Sequence, residues 1–207
     1  TTRGLIGMEI DVINLTNETG PNKDYSYSLT AQLQKRFTDA LAGSFSYTYS
    51  RSYDVFDLTS SVAYSNWQYG RDYSGRTDAQ QLAPSKWDVP HMLNLSGSYS
   101  LPTHTNIMFI LIGESGVPYT YIYSGDMNGD GSANNDPVYV PKDATNPSEI
   151  MFAPNGALTV AQQQQALQNY ISNTPCLNSQ RGTIMTRNSC RFPWTKELDL
   201  SVRQNIR

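Results

Sequence analysis

Apolar and polar side chains alternate with a period of two along several stretches of this chain. Between residues 25 and 37 the odd positions carry mostly Tyr, Leu, Ala and Phe, while the even positions carry Ser, Thr, Gln and Arg. Residues 4–13, 41–50, 93–101 and 194–206 alternate in the same way. Because successive side chains of a β-strand point to opposite faces, each stretch predicts a strand with one apolar and one polar face.

A further strand, predicted over residues 105–123, departs from this rule. Residues 107–112 are apolar on both faces, and alternation returns only in the second half, with Val117, Tyr119 and Tyr121 on one side. We expect the start of this strand to be covered on its inner side. The run 107–112 is also the longest apolar run, far shorter than the ~20 residues of a transmembrane helix.

The connections between the predicted strands alternate between short and long. Residues 38–40 and 102–104 form tight turns, whereas residues 14–24, 54–89 and 124–193 form long loops. Short turns at one rim and long loops at the other are typical of bacterial outer-membrane barrels. Loops longer than about 15 residues are uncommon unless they are functional, so we expect the two longest to carry specificity.

The last long loop contains one predicted helix. Thr159 and Gln162 have the spacing of a capping box, in which the two residues satisfy each other's backbone N–H groups. Leu167, Tyr170 and Ile171 follow with the spacing of one helical face. We therefore expect a short helix that begins after Thr159.

Strand length and aromatic placement separate a membrane barrel from a soluble β-sandwich, which also needs one apolar face. Strands of about 13 residues extend ~43 Å, enough to cross a tilted path through a bilayer. Tyr, Phe and Trp cluster toward the strand ends, where barrels carry aromatic girdles. The fold class predicted is all-β, an antiparallel transmembrane β-barrel segment of about six strands with long extracellular loops. Known single-chain barrels begin at about eight strands, so a larger barrel is expected.

In such a barrel the polar face of each strand points into the lumen. The residues predicted to face the lumen are Ser28, Thr30, Gln32, Gln34, Arg36, Ser44, Ser46, Thr48, Asn94, Ser96, Ser98, Glu197, Asp199 and Arg203. The four charged residues in this set, Arg36, Glu197, Asp199 and Arg203, are expected to pair with one another or with a domain inside the barrel.

Composition and motifs argue against two functional classes. The net charge is −3 and charged residues make up 16% of the chain, which disfavours a nucleic-acid partner because such partners need a strong basic patch. His91 lies at a predicted strand start and His104 in a tight turn, and no nucleophile-elbow motif accompanies either. We expect no catalytic site and no enzyme activity.

The chain contains only two cysteines, Cys176 and Cys190. Their closeness in sequence favours a local disulfide within the last long loop, formed in an oxidising compartment, over a metal cluster. Two unpaired thiols are the alternative.

Several segments resemble a known family, and they occur in the expected order along nearly the whole chain. They are residues 33–37, 45–52, 87–91, 99–102, 116–120, 126–131, 187–191 and 198–200. These segments resemble the barrel of TonB-dependent outer-membrane receptors of the Oar-like branch, which carry a carboxypeptidase-regulatory-like domain ahead of the plug.

The resemblance implies a 22-stranded barrel filled by an N-terminal plug, with a ligand captured by the outer loops and the plug. Its implied partners are outer-membrane lipid, the plug, the TonB complex and an extracellular ligand whose identity the sequence does not give. Residues 1–207 would then form part of the barrel domain, because neither a plug nor a TonB box is recognisable in them. A plugless porin-like protein and a secreted calcium-dependent adhesin are the alternatives.

One motif predicts a metal site in the last long loop. Side-chain oxygens recur at alternate positions before a Gly, as in the first half of a calcium loop. The predicted ligands are Asp126, Asn128, Asp130, Ser132 and Asp136. Pro137 occupies the place where a bidentate Glu closes an EF-hand loop. The alternative is a turn rich in Asn-Gly and Asp-Gly that needs no ion.

Overall fold

The structure is a computed structural model that describes residues 24–58, 60–71 and 81–206. These residues form two compact units. The strand unit comprises residues 24–54, 83–119 and 188–206, and the loop unit comprises the described residues within 55–82 and 120–187. The strand predicted over residues 4–13 lies outside the described residues.

The elements follow one another along the chain as strands with three interspersed helices. They are β1 (Tyr25–Arg36), β2 (Leu41–Asp54), α1 (Ala63–Gln68), β3 (Ala83–Pro84), β4 (His91–Ser100), β5 (Thr105–Glu114), β6 (Pro118–Tyr119), β7 (Tyr139–Val140), α2 (Val160–Asn173), α3 (Pro175–Asn178), β8 (Thr183–Ile184), β9 (Cys190–Arg191) and β10 (Thr195–Gln204).

The strand unit is built on an antiparallel sheet with the order β1-β2-β4-β5-β10, to which β3 adds a short pairing with β2. The four predicted strands that begin near residues 25, 41, 93 and 194 are confirmed. Within the described residues the sheet does not close, since β1 and β10 each pair with one neighbour. The all-β antiparallel architecture is therefore confirmed. The total of 22 strands remains a prediction.

The strand register joins the predicted apolar positions into rows that cross the whole sheet. In one row Leu33 lies opposite Phe45, Phe45 opposite Leu95, Leu95 opposite Leu111, and Leu111 opposite Leu198. Because the side-chain period of a strand is two, this register places the other alternating positions on the opposite face. The sheet thus has one continuous apolar face, as the alternation predicts.

Both predicted tight turns are confirmed, and each has a local cause. Between β1 and β2 the Thr38 hydroxyl accepts the N–H groups of Ala40 at 3.2 Å and Leu41 at 3.0 Å. Between β4 and β5 the chain reverses around His104, which adopts a positive φ of 61°. Such side-chain bonds and left-handed residues close short turns without help from the rest of the fold.

The prediction of one strand over residues 105–123 is wrong beyond Glu114. The N–H of Ser115 donates to the carbonyl of His91 at 2.9 Å, and the chain then leaves the sheet. A Cβ atom at Gly116 would lie 2.3 Å from the carbonyl oxygen of Phe192, so only glycine permits this close approach. Pro118 has no N–H to continue the ladder, and β6 pairs with β9 in a separate two-stranded sheet.

The loop unit has a small core of its own beneath the predicted helix. Thr159 and Gln162 form the expected capping box at the start of α2. The buried apolar residues of this unit are Val140, Ala144, Ile171, Leu177 and Met185. The sequence predicted one helix, and the structure adds α1 and α3. Among the described helices, none has the length and apolar composition needed to cross a membrane.

Candidate functional site

The polar face of the sheet collects all the residues predicted to face the lumen. The register places them on the face opposite the apolar rows. Hydroxyl pairs join neighbouring strands there, with 2.8 Å between the oxygens of Thr30 and Thr48 and 2.7 Å between those of Ser44 and Ser96. A surface of this kind suits contact with water, because most of its groups are small, polar and uncharged.

An apolar strip interrupts this polar face along β5. Met108, Ile110 and Ile112 lie on it, and Met108 and Ile110 are 40% and 45% exposed. Ile110 lies between Ser96 on β4 and Asp199 on β10. The sequence indicated that β5 is apolar on both faces, and the register adds that polar strands flank the inner strip on both sides. The expectation that this strip is covered on its inner side stays a prediction.

The charged residues of the polar face are not all close together. Arg36 ends β1 at one edge of the sheet, whereas Glu197, Asp199 and Arg203 lie on β10 at the other edge. The sheet therefore separates Arg36 from the other three. Their pairing with a domain inside the barrel stays a prediction.

An aromatic band runs along the end of the sheet from which both long connections leave. The ring centroids of Tyr27 and Tyr49 are 6.2 Å apart, and those of Tyr49 and His91 are 5.5 Å apart. The band continues from His91 to Trp194 at 5.9 Å, with the two rings nearly parallel. Amphipathic rings collect where a bilayer meets water, so this band fits the predicted girdle.

His91 has a structural environment within that band. Its Nδ1 atom lies 2.7 Å from the hydroxyl oxygen of Tyr47, and its ring stacks on Trp194. Ring pairs of this kind contribute to packing. The expectation that the chain has no enzyme activity stays a prediction.

Asp88 forms a buried clamp at the same end of the sheet. Its side chain is fully buried, and Oδ1 accepts the N–H of Ser52 at 2.7 Å and the Nε–H of Arg51 at 3.3 Å. The other oxygen, Oδ2, accepts a guanidinium N–H of Arg191 at 2.6 Å. Both carboxylate oxygens are thus satisfied, as burial of a charge requires.

Arg191 extends the clamp to backbone groups. A second guanidinium nitrogen donates to the carbonyl oxygens of Asp88 at 2.5 Å and Gly116 at 2.8 Å. The clamp therefore joins the end of β2, the segment before β4, the segment after β5, and β9. Sequence reasoning placed residues 87–91 and 187–191 only in the family resemblance, and it did not find this contact.

The predicted calcium loop, residues 126–136, is organised around Asp126. Oδ1 of this residue accepts the N–H groups of Gly129 at 2.7 Å and Asp130 at 3.2 Å, and Oδ2 accepts the N–H of Gly131 at 2.9 Å. Gly129 has a positive φ of 77°, which the sharp turn requires. The turn predicted by the Asn-Gly and Asp-Gly pairs is present.

Two more acids hold the rest of this loop. Oδ1 of Asp130 accepts the N–H of Ser132 at 2.7 Å, and Oδ2 accepts the side-chain amide of Asn135 at 3.1 Å. Oδ2 of Asp136 accepts the N–H of Met127 at 2.6 Å. Among the described residues no group of three or more His, Cys, Asp or Glu side chains is placed to hold a metal ion by itself.

Charged contacts add to the small core of the loop unit. Arg187 pairs with Asp57 at 2.7 Å. Burial lowers the pKa of the Arg71 guanidinium, although the Asp57 carboxylate acts in the opposite direction. The backbone N–H and hydroxyl of Thr145 hold the pKa of the Asp143 carboxyl below its usual value. The last long loop is therefore a folded structure.

Both cysteines of the chain are disulfide-bonded in the structure. We predict that Cys176 and Cys190 form one intramolecular disulfide in protein purified from the outer membrane, because that compartment is oxidising. Intact-mass analysis after alkylation is the measurement: neither thiol should be alkylated until a reductant is added. Alkylation of both thiols without reductant would contradict the prediction.

These observations define a class of protein with a wall of long antiparallel strands, which has one apolar face, one polar face and an aromatic band, and with long connections that are folded. Residues 8–207 match the family described as outer membrane beta barrel domain, and the chain belongs to that family. It is accordingly an outer-membrane protein. No curated protein and no solved structure matches the chain with significance.

Proposed function

We propose that the protein is a TonB-dependent receptor that carries out energy-coupled transport of a large ligand. The observation that carries this proposal is the apolar strip of Met108, Ile110 and Ile112 on the polar face of the sheet. Exposing apolar surface to water costs about 25 cal/mol per Å². An open, water-filled pore gains nothing from such a strip, whereas a plug packed against the wall would cover it.

The loop unit supports the ligand-binding part of the proposal. Long connections that fold into helices, short sheets and a buried core present a fixed surface, and fixed surfaces bind with less loss of conformational entropy. We assign capture of the extracellular ligand to this unit. Membership in an outer-membrane barrel family also favours a membrane-embedded receptor over a secreted adhesin.

The clamp at the sheet end supports the Oar-like branch. Two of the segments that resemble this branch, residues 87–91 and 187–191, are joined by the ion pair between Asp88 and Arg191. A single structural role for this contact would account for both segments at once. The 22-stranded barrel, the plug and the TonB complex remain parts of the proposal.

Channel conductance tests the proposal directly. The protein as the bacterium makes it is purified and inserted into planar lipid bilayers. A plugged receptor should show no large open channel at rest. Ile110→Asp should open a leak, because a buried unpaired carboxylate beside the plug is costly. Ser96→Asp is the matched control, since Ser96 lies beside Ile110 on the same face.

Two outcomes count against the proposal. A stable, large conductance from the unaltered protein favours the plugless porin-like alternative. If the protein does not co-purify with the periplasmic domain of TonB from the same bacterium, the proposal of energy coupling is contradicted, even if the channel is closed. Closed channels together with TonB binding are the expected result.

A further inference from the structure

Two buried oxygen atoms in the loop of residues 126–136 have no hydrogen-bond donor among the described residues. They are Oδ1 of Asn135 and Oδ1 of Asp136, and their side chains are 1% and 3% exposed. An unsatisfied buried polar group costs about 1–3 kcal/mol, and a charged one costs more. Native loops rarely leave such oxygens without a partner.

Both side chains point into the acidic loop. The Asn135 amide donates its N–H to Oδ2 of Asp130, which holds its oxygen beside that carboxylate. The other oxygen of Asp136 accepts the N–H of Met127, which fixes the carboxylate against the turn. Hence Asn135 holds an acceptor without a donor beside the Asp130 carboxylate, and Asp136 holds a second such acceptor in the same loop, an arrangement that a donor or a cation stabilises.

We propose that residues 126–136 bind one calcium ion and that Asn135 and Asp136 are among its ligands. Asp130 supplies a further side-chain oxygen through Oδ2, which accepts the side-chain amides of Asn128 and Asn135, and backbone carbonyls and water complete the set. Calcium takes six to eight oxygen ligands in flexible geometry, which a mixture of carboxylate, amide and water satisfies. The ion provides the positive partner that the two orphan oxygens lack.

Asp126 has a positioning role in this site. Its two oxygens already accept three backbone N–H groups, so it shapes the turn that presents the other ligands. This differs from the sequence prediction, in which Asp126 is a ligand. Ser132 is likewise engaged elsewhere through its hydroxyl, which donates to the carbonyl of Gln68 at 2.7 Å.

The same loop contacts the helix α1, which lies in the other long connection of the loop unit. Besides the bond from Ser132 to Gln68, Arg71 donates to the carbonyl of Asn134 at 2.5 Å. Residues 132–135 therefore include one proposed ligand, Asn135, and the contacts to the end of α1 and to Arg71 just after it. Bound calcium would order α1 together with the loop, and its removal would loosen both.

The site is expected to be weak and selective. It lacks the bidentate Glu of an EF-hand, and extracellular calcium modules commonly bind at about 10⁻⁴ to 10⁻³ M. Magnesium demands near-ideal octahedral geometry and gives up water reluctantly, so it should not replace calcium. Calcium alone, rather than any transported ligand, is therefore the probe.

Calorimetry on the complete protein, freed of divalent ions and held in detergent, measures the binding. Calcium at about 10 mM should saturate the unaltered protein, and magnesium should not. Asp136→Asn keeps the acceptor for Met127 but removes the charge, and it should weaken calcium binding at least about tenfold, or about 1.4 kcal/mol. Asp143→Asn, an exposed acid of the same unit, is the matched control and should bind normally.

Hydrogen exchange supplies an independent measurement on the same samples. Peptides covering residues 63–71 and 126–136 should exchange more slowly with calcium, and the strands of the sheet should not change. If Asp136→Asn fails to fold, as judged by heat-modifiable gel migration, Asp130→Asn takes its place. No calcium uptake by the unaltered protein, or equal uptake by the Asp136 or Asp130 variant, would overturn the proposal and leave a hydrated turn.

Discussion

Leu95→Arg is expected to prevent most of the protein from assembling in a lipid bilayer, whereas Ser96→Arg leaves assembly nearly unchanged. The two residues are neighbours on β4 but lie on opposite faces of the sheet. Leu95 is flanked by Phe45 and Leu111 in an apolar row. An arginine that faces lipid at the bilayer midplane costs about 2–4 kcal/mol, while one on the lumen side stays hydrated.

The measurement is folding of the complete protein into lipid vesicles, followed by heat-modifiable gel migration. The folded fraction at intermediate denaturant gives the difference in free energy between each variant and the unaltered protein. Leu95→Ala serves as a control for lost packing without added charge. Equal tolerance of Arg at both positions would contradict the assignment of the apolar face to lipid.

The strands and turns were predictable because their causes are local. Period-two alternation depends on residues next to one another, and it gave the faces of β1 and β10 correctly. The turn at Thr38 and the capping box at Thr159 are held by side chains within three residues of the groups they bind. No knowledge of the rest of the chain is needed for such features.

Other features were not predictable because their causes are distant in sequence. β5 stops at Glu114 where Gly116 meets the backbone of Phe192, and alternation simply continues past this point in the sequence. The helix α1 has no side-chain cap bond and no acidic residue in its first turn, so it lacks the usual starting features. Arg191 is 103 residues from Asp88, and no local pattern relates them.

The candidate calcium loop falls between these two cases. The spacing from Asp126 to Asp130 predicted the acidic turn, whose bonds are local. The sequence did not indicate that Asn135 is buried with an unsatisfied oxygen, because that burial depends on the packing around it. The proposal that Asn135 is a ligand therefore rests on the structure.

The Asp88 clamp shows how such distant contacts fix the end of the sheet. Two arginines from different segments, Arg51 and Arg191, share one fully buried carboxylate. Removal of one partner from a buried charged pair usually lowers the free energy of unfolding by about 3–5 kcal/mol, because the charge of the other partner is left buried and unpaired. Because the two arginines are 24% and 27% exposed, water replaces part of the lost interaction.

Asp88→Ala is therefore expected to lower the free energy of unfolding by about 3 kcal/mol, at the lower end of that range. Arg191→Met should cost more of the clamp than Arg51→Met, because Arg191 donates to Asp88 Oδ2 at 2.6 Å and to two carbonyls, whereas Arg51 reaches Asp88 through one longer bond of 3.3 Å. Denaturant midpoints of the complete protein in vesicles measure these differences, and Asp39→Ala in the short turn is the control. Equal midpoints for Asp88→Ala and Asp39→Ala would mean that the clamp contributes no stability.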